Sequence, residues 1–203
     1  MFENVPKHYA ARSHAAMIEV LMNPDAPGPA VHYYMIRGGS HQRNITVWEP
    51  GKVGNEYIKT YGHYHVGDLD ETYHVLFGEG IALLQKLTCD VSGKSVPDCV
   101  EEFRAIRVHA GDQIYMPPNY GHLLVNIGDT YLVTSDDSPV HFDDSDSSSW
   151  PGHADYELVR RMHGFAYYVV EMGGMPGLVA NSRYKEVKKI VSENLPMFPP
   201  PSC

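Results

Sequence analysis

Histidine and glutamate are concentrated in residues 62–80, which read GHYHVGDLDETYHVLFGEG. Residues two apart in a β-strand share a face, so His63 and His65 are expected to project to one side. The turn VGDLD then reverses the chain, and Glu71 opens the returning strand close enough to add an oxygen to the same side. Two neutral imidazoles and a carboxylate suit a divalent transition metal that keeps positions open for water or substrate. The segment therefore predicts a metal site.

A histidine further along the chain completes the expected ligand set. His122 follows the run GDQIYMPPNYG, which has the pattern of a strand and a tight turn, and Asn126 follows four positions later. We expect His122 to be the fourth ligand. Eight further histidines, between His8 and His163, are expected to be surface or structural residues.

Short apolar or alternating runs rich in Val, Ile, Tyr and Thr must position these ligands. Turn sequences such as PGKVGN, GEG, AGD and IGD separate the runs, and the chain contains 18 Gly and 15 Pro. This pattern predicts an all-β domain in which helix is a minor component. The Ala-rich residues 8–22 predict one short N-terminal helix. Strands are predicted at about 31–37, 44–49, 56–63, 71–77, 81–87, 100–108, 113–116, 122–127, 130–135 and 165–171.

Length and charge limit the possible functions. A chain of 203 residues is expected to form a single domain, with an N-terminal arm and helix at 1–30, a barrel at 31–171 and a C-terminal extension at 172–203. The net charge of −9 argues against general nucleic-acid binding, which depends on Lys and Arg. No window approaches the roughly 20 apolar residues of a membrane span, and no signal-peptide pattern opens the chain, so we expect a cytoplasmic protein.

The chain also contains three cysteines and one polar run. Cys89, Cys99 and Cys203 are odd in number and lack metal-ligand spacing, so reduced thiols are expected. A Ser/Asp-rich insertion at 143–149 is expected to be solvated, and the tail NLPMFPPPSC is expected to be extended.

Two spaced motifs make the chain resemble the cupin superfamily. Its first motif, H-x-H, a short gap, E, six residues and G, is met by His63, His65, Glu71 and Gly78. The second motif is met by Gly111, Pro117, His122 and Asn126, although Tyr57 and Asn119 replace glycines of the general pattern. The resemblance implies a jelly-roll barrel, also called a double-stranded β-helix, with a metal cup.

A narrower resemblance extends over residues 31–171. The stretches NITVWEPGKVGNEYIKTYGHYH, ETYHVLFGEGIALLQ and MPPNYGHLLVNIGDTYL resemble the cupin-type glucose-6-phosphate isomerases of archaea and some bacteria. This resemblance implies one divalent metal per subunit, with Fe²⁺ expected and Mn²⁺, Ni²⁺ or Zn²⁺ as alternatives. It also implies a homodimer, for which the N-terminal arm and the strand VHYYMI offer apolar area.

The resemblance also assigns roles to individual residues. It implies that Glu71, Tyr73 and His63 form the catalytic group, with Tyr73 beside the substrate. The sugar phosphate is expected to be bound by a set of hydroxyl, imidazole and backbone groups: Thr46, Thr60, the backbone at Gly62, Tyr34 or Tyr33, His153 and Tyr156. The metal ligands implied are His63, His65, Glu71 and His122.

The reaction implied is aldose–ketose interconversion, which moves hydrogen between C1 and C2 of an open-chain sugar. A divalent ion polarises the carbonyl, and Glu71 is expected to move the proton. A hydride shift would use the same residues, so both routes remain open. Two other functions remain as alternatives: a non-haem iron dioxygenase on the same metal cup, and a non-catalytic sugar-binding cupin.

Overall fold

The computed structural model describes residues 9–38, 43–139 and 153–198. These residues form mainly strands: β1 Tyr9–Ser13, β2 Val31–Ile36, β3 Asn44–Trp48, β4 Lys52–Val53, β5 Glu56–Tyr57, β6 Tyr64–His65, β7 Glu71–Phe77, β8 Glu79–Cys89, β9 Ser95–His109, β10 Gln113–Met116, β11 Gly121–Asn126, β12 Leu132–Asp136, β13 Ala154–Asp155, β14 Tyr167–Met172, β15 Met175–Ala180, β16 Glu186–Val187, β17 Ile190–Ser192 and β18 Met197–Phe198. The helical elements are α1 His14–Met17, a 3₁₀ turn Ile18–Val20, and α2 Glu157–Arg161.

Two sheets, in which most strand pairs are antiparallel, build the barrel. The first has the order β1-β2-β3-β12-β7-β10, and the second contains β11-β8-β9 with the short β16 and β17 paired to β9. From β7 onwards the chain passes to the second sheet for β8 and β9, returns for β10, crosses for β11 and returns for β12. This alternation between two facing sheets is the connectivity of a jelly roll, so the predicted all-β fold with a short helix is confirmed.

The core lies between the sheets, where alternate residues point inward. In β7 the side chains of Glu71, Tyr73 and Val75 are buried, whereas Leu76 and Phe77 are exposed. The strand β8, which runs between β11 and β9, is almost continuously buried. The largest fully buried side chains include Trp48, Phe103, Phe165, Ile81 and Leu83. Burial of these apolar side chains is the main stabilising contribution to the barrel.

The helix predicted at 8–22 was wrong in its extent. Residues 9–13 instead form β1, which pairs antiparallel with β2 and places Arg12 opposite Tyr33. The helix begins only after Ser13, whose hydroxyl accepts a hydrogen bond from the Ala16 amide at 3.3 Å and caps the helix. Helix propensities differ by tenths of a kcal/mol per residue, so pairing with an aromatic strand overrides the Ala-rich composition.

Two other regions differ from the predicted strands. The strand predicted at 56–63 is limited to Glu56–Tyr57, and beyond it the chain pairs with β11 through the bridges Lys59–Val125 and His63–His122. The first strand of the β14–β15 hairpin was predicted, at about 165–171, but the second strand was not. Its turn contains Gly173 and Gly174 with φ of 62° and 77°, and this Gly-Gly pair was the available turn signal.

The structure also bears on the predictions about thiols, a membrane span and the Ser/Asp-rich insertion. Cys89 and Cys99 are free thiols. None of the helices in the described part of the chain has the length and hydropathy of a membrane span. The Ser/Asp-rich insertion at 143–149 and Cys203 lie outside the described residues.

Candidate metal centre

Four side chains predicted as ligands converge inside the mouth of the barrel. One ligand atom from each of His63, His65, Glu71 and His122 lies within 4.8 Å of the others. Glu71 Oε2 is 3.1 Å from His65 Nε2 and 3.1 Å from His122 Nε2. Three imidazoles therefore surround one carboxylate oxygen.

Different elements deliver the four side chains to one point. His65 lies on β6, which pairs with β13 so that Ala154 is opposite His65. Glu71 begins β7, which lies between β12 and β10 in the first sheet, and it pairs with Met116 of β10. His122 lies on β11 of the second sheet, and His63 forms a single bridge to it. The centre thus joins both sheets.

The rings pack closely against one another. The centroid of the His63 ring lies 4.8 Å from that of the His65 ring and 4.5 Å from that of the His122 ring. The centroids of the His65 and His122 rings are 5.2 Å apart. Burial, together with the neighbouring imidazoles of His122 and His65, holds the pKa of His63 well below its usual range. Burial alone would raise the pKa of Glu71, but the imidazoles of His122 and His65 hold that pKa well below its usual range. A neutral His63 imidazole beside an ionised Glu71 carboxylate is the protonation pattern that metal ligands require.

The buried ring of His122 provides a test of whether a metal fits. The side chain is 1% exposed, and neither Nδ1 nor Nε2 has a hydrogen-bond partner, although Nε2 is close to Glu71. A buried nitrogen without a partner is costly unless another group binds it. A set of three imidazoles and one carboxylate, without thiolates, suits a first-row divalent metal.

The phenol of Tyr73 and the carboxyl group of Asp136 lie next to the four ligands. The Tyr73 ring is buried 5.7 Å from the His122 ring, and burial raises the pKa of its phenol well above the usual range. Asp136 is buried and accepts hydrogen bonds from Asn44 Nδ2 at 2.6 Å and Ser138 Oγ at 2.7 Å. Burial and the neighbouring charge of Glu71 raise the pKa of Asp136 to about 6. The sequence analysis missed Asp136, although the alternation of its strand was a signal that one face is buried.

The residues expected to bind phosphate are placed along the inner surface. Thr46 is buried on β3, opposite both Met35 and Thr134. The Thr60 hydroxyl accepts a hydrogen bond from the Leu124 amide at 3.1 Å. Gly62 has φ of 82°, and a Cβ built there would lie 3.0 Å from Phe165 Cε1, so this position requires glycine.

The two candidate tyrosines of β2 point to opposite faces of the sheet. Tyr33 lies opposite Trp48 and is buried with it. Tyr34 points away from the barrel, donates a hydrogen bond to Glu49 Oε1 at 3.0 Å and stacks on Tyr9 at 6.0 Å. The structure therefore does not bring Tyr34 to the metal centre, whereas Tyr33 lies on the inner face.

The segment that begins at His153 returns to the metal centre. The Tyr156 ring lies 5.5 Å from the His63 ring and meets the Tyr61 ring edge to face at 5.4 Å. His153 immediately precedes β13, and its carbonyl accepts a hydrogen bond from the Val66 amide at 2.9 Å. Tyr156 is therefore beside the ligands, and the His153 backbone is at the edge of the same site.

Two arginines near the centre had no part in the sequence predictions. Arg12 on β1 donates from Nε to the Tyr33 hydroxyl at 3.2 Å. Arg37 follows β2, lies 3.5 Å through Nη2 from Met35 Sδ, and adds its positive charge to the burial and the neighbouring imidazoles that lower the pKa of His63. Because residues 8–22 have the composition of a helix, Arg12 could not be placed at the site from its sequence context.

Comparison with solved structures gives low-scoring matches to oxalate decarboxylases. A predicted oxalate decarboxylase from Thermotoga maritima aligns with a TM-score of 0.35 and 20% identity over 51% of this chain and 76% of that one. The Bacillus subtilis oxalate decarboxylase OxdC aligns with a TM-score of 0.34 and 21% identity over 51% of this chain and 24% of that one.

Sequence comparison gives stronger matches, to proteins named glucose-6-phosphate isomerase. The protein of Thermococcus onnurineus is 34% identical over 141 residues, which cover 69% of this chain and 62% of that protein. The protein of Pyrococcus furiosus is 33% identical over 142 residues, covering 70% of this chain and 63% of that protein. The chain thus spans slightly less than two thirds of the length of these relatives. The family model described as glucose-6-phosphate isomerase matches residues 33–186, and the chain belongs to this family.

Proposed function

We propose that the protein is a metal-dependent isomerase that interconverts glucose 6-phosphate and fructose 6-phosphate. One observation carries the proposal: in a chain of the glucose-6-phosphate isomerase family, ligand atoms of His63, His65, Glu71 and His122 lie within 4.8 Å of one another. The relatives bearing that name support the substrate.

The cluster would hold one divalent transition metal through three imidazole nitrogens and the Glu71 carboxylate. When bound, the ion supplies a Lewis acid that polarises the substrate carbonyl. We propose Fe²⁺, with Mn²⁺, Ni²⁺ and Zn²⁺ as alternatives that the same ligand set accepts.

Glu71 is the residue that we propose to move the proton. Its carboxylate is ionised and lies at the inner face of β7, where Oε2 contacts two imidazoles. In the proton-transfer route, a Glu71 oxygen takes the proton from one of the two reacting carbons and returns it to the other. The buried phenol of Tyr73 stays protonated and can donate a hydrogen bond to a substrate oxygen.

The far end of the substrate is proposed to lie along the polar groups of the inner surface. Thr46, Thr60 and the Gly62 amide would bind the phosphate, and the ring of Tyr156 and the imidazole of His153 would line the pocket. The contact between the Tyr156 and His63 rings supports the placement of Tyr156.

Two further properties remain proposals. A homodimer is supported by exposed apolar side chains on the first sheet, including Tyr9, Leu76, Phe77 and Tyr115. Light scattering would test this, since a monomer mass over a wide concentration range would exclude it. The cytoplasmic location predicted above can be tested by cell fractionation, in which recovery of the protein with membranes or in the medium would refute it.

The decisive assay separates isomerisation from oxygen chemistry. Metal-loaded protein is mixed with fructose 6-phosphate under anaerobic conditions, and glucose 6-phosphate is measured. We expect product to form without oxygen. No product under anaerobic conditions, together with oxygen consumption in air, would instead support a non-haem iron dioxygenase.

A further inference from the structure

We infer that Arg12 binds the phosphate group of the substrate and gives the site its selectivity for a phosphorylated sugar. This inference deepens the proposed function and rests on it. Arg12 lies outside residues 33–186, the part of the chain that the family model matches. It would be a contribution of the N-terminal strand.

Strand pairing directs Arg12 to the inner surface of the barrel. Residues directly opposite each other in an antiparallel pair share a face of the sheet. Arg12 is opposite Tyr33, and Tyr33 is opposite the fully buried Trp48. Arg12 therefore lies on the inner face, with the residues that surround the metal centre.

The Arg12 guanidinium adjoins the segment expected to bind phosphate. Its Nε and the Tyr61 amide both donate to the Tyr33 hydroxyl, at 3.2 and 3.3 Å. Tyr61 lies between Thr60 and Gly62, whose hydroxyl and backbone the family resemblance assigns to the phosphate. The guanidinium is thus held next to this segment.

Two aromatic rings hold the guanidinium and connect it to the metal centre. Arg12 Cζ lies 5.7 Å from the centroid of the Tyr61 ring and 5.8 Å from that of Tyr156. The Tyr156 ring lies in turn 5.5 Å from the His63 ring. Stacking on aromatic rings fixes a guanidinium without consuming its N–H groups. The Tyr156 ring therefore lies between the Arg12 guanidinium and the ligand His63. This spacing is compatible with a sugar phosphate that reaches from the metal to Arg12.

Arg12 retains unused hydrogen-bonding capacity. A guanidinium has five N–H donors, and the described residues provide an acceptor for Nε alone. None of the described carboxylates forms an ion pair with Arg12. The Glu19 carboxylate instead accepts a hydrogen bond from the Tyr61 hydroxyl at 2.7 Å. Within the described residues, the buried side-chain nitrogen and oxygen atoms that lack a hydrogen-bond partner belong to His32, His122 and Thr134. The terminal nitrogens of Arg12 are not among these buried atoms, so they are reachable from solvent.

The charge of the substrate explains why such a residue is needed. A phosphate monoester carries close to two negative charges at neutral pH, and the chain has a net charge of −9. Threonine hydroxyls and backbone amides bind phosphate oxygens but add no net charge. Arg12 supplies a local positive charge and a bidentate geometry that matches phosphate.

The test compares Arg12→Gln with Arg12→Lys and with the control Arg107→Gln, which removes the same charge from β9. Calorimetry measures binding of fructose 6-phosphate, unphosphorylated fructose and inorganic phosphate to metal-loaded protein. We expect Arg12→Gln to weaken binding of fructose 6-phosphate by about 10- to 100-fold, the worth of a charged hydrogen bond. Binding of fructose should be unchanged, Arg12→Lys should be intermediate, and Arg107→Gln should match the parent.

The outcomes separate this inference from the proposed function. If the parent isomerises fructose 6-phosphate and folded Arg12→Gln binds it as tightly as the parent, the role of Arg12 is refuted and the function stands. Equal losses for fructose and fructose 6-phosphate would also refute it, because they indicate a general structural effect. If the parent is not an isomerase, the function fails, and the inorganic phosphate titrations still decide whether Arg12 binds the anion.

Discussion

The backbones of His63 and His122 exchange two hydrogen bonds, with N···O distances of 3.3 and 3.0 Å. This bridge joins the loop that carries His63 to β11, the strand that carries His122. It fixes the distance between two ligands before any metal binds, so the site is preorganised by the backbone.

Removal of a ligand imidazole should reduce metal content and rate together. His63→Ala, His65→Ala or His122→Ala each deletes a nitrogen donor, so we expect at least tenfold weaker metal binding, measured by elemental analysis after dialysis. Excess metal should partly restore the rate. His74→Ala is the matched control, since His74 lies on β7 with its neighbours Tyr73 and Val75 facing the core. Unchanged metal content in all three ligand variants would refute the assignment.

Glu71→Gln should separate proton transfer from metal binding. The amide keeps the size and one oxygen donor but loses the charge and the proton acceptor. We expect kcat to fall by about 100-fold or more, in line with the worth of general base catalysis, once full metallation has been verified. A fully metallated Glu71→Gln variant with the parent rate would exclude Glu71 as the base and favour the hydride route.

Gly62→Ala should cost more stability than a glycine substitution with the same backbone strain. Gly62 and Gly93 have φ of 82° and 81°, but an added Cβ meets Phe165 at 3.0 Å only at Gly62, and meets nothing within 4 Å at Gly93. We expect Gly93→Ala to cost about 1 kcal/mol and Gly62→Ala about 1 to 3 kcal/mol more in urea denaturation. Equal losses for the two variants would show that the contact has no effect.

A buried histidine should make stability depend on pH. His32 is fully buried 3.0 Å from His14, and burial, with the charges of His14 and Lys59, lowers its pKa to about 4. Between about pH 6.5 and 4 the unfolded chain is protonated at this site while the folded protein is not, so stability falls as the pH falls.

The size of this effect can be isolated with one variant. His32 should contribute about 1 kcal/mol to the loss of unfolding free energy between pH 7 and 5.5, or about 3 kcal/mol down to pH 4. His32→Gln should therefore have a flatter pH dependence than the parent, measured in urea at each pH. Parallel profiles for parent and variant would contradict the buried neutral state of His32.

The sequence predicted those features that depend on local periodicity. The two-residue alternation of strands places His63 with His65, and Glu71 with Tyr73, without any knowledge of the fold. The spacing of the second motif was sufficient to add His122. Even the departure at Asn119 is understandable, because this residue adopts φ of 65°, a conformation that Asn tolerates better than most residues.

Features that depend on long-range pairing could not be predicted. Alternation indicates that Tyr33 and Tyr34 face opposite sides, but the register with Trp48 is needed to decide which one faces the core. Arg12 reaches the site only because β1 adds to the edge of β2. Asp136 requires the pairing of β12 with β7, which places it opposite Tyr73.

The most direct test of the central claim is the isomerase rate as a function of bound metal. Protein is stripped with a chelator and reloaded anaerobically in steps with Fe²⁺, and each sample is assayed with fructose 6-phosphate and analysed for metal. We predict a negligible rate without metal and a linear rise that ends at one ion per chain. Full activity in stripped protein, or a rate independent of bound metal, would contradict the account.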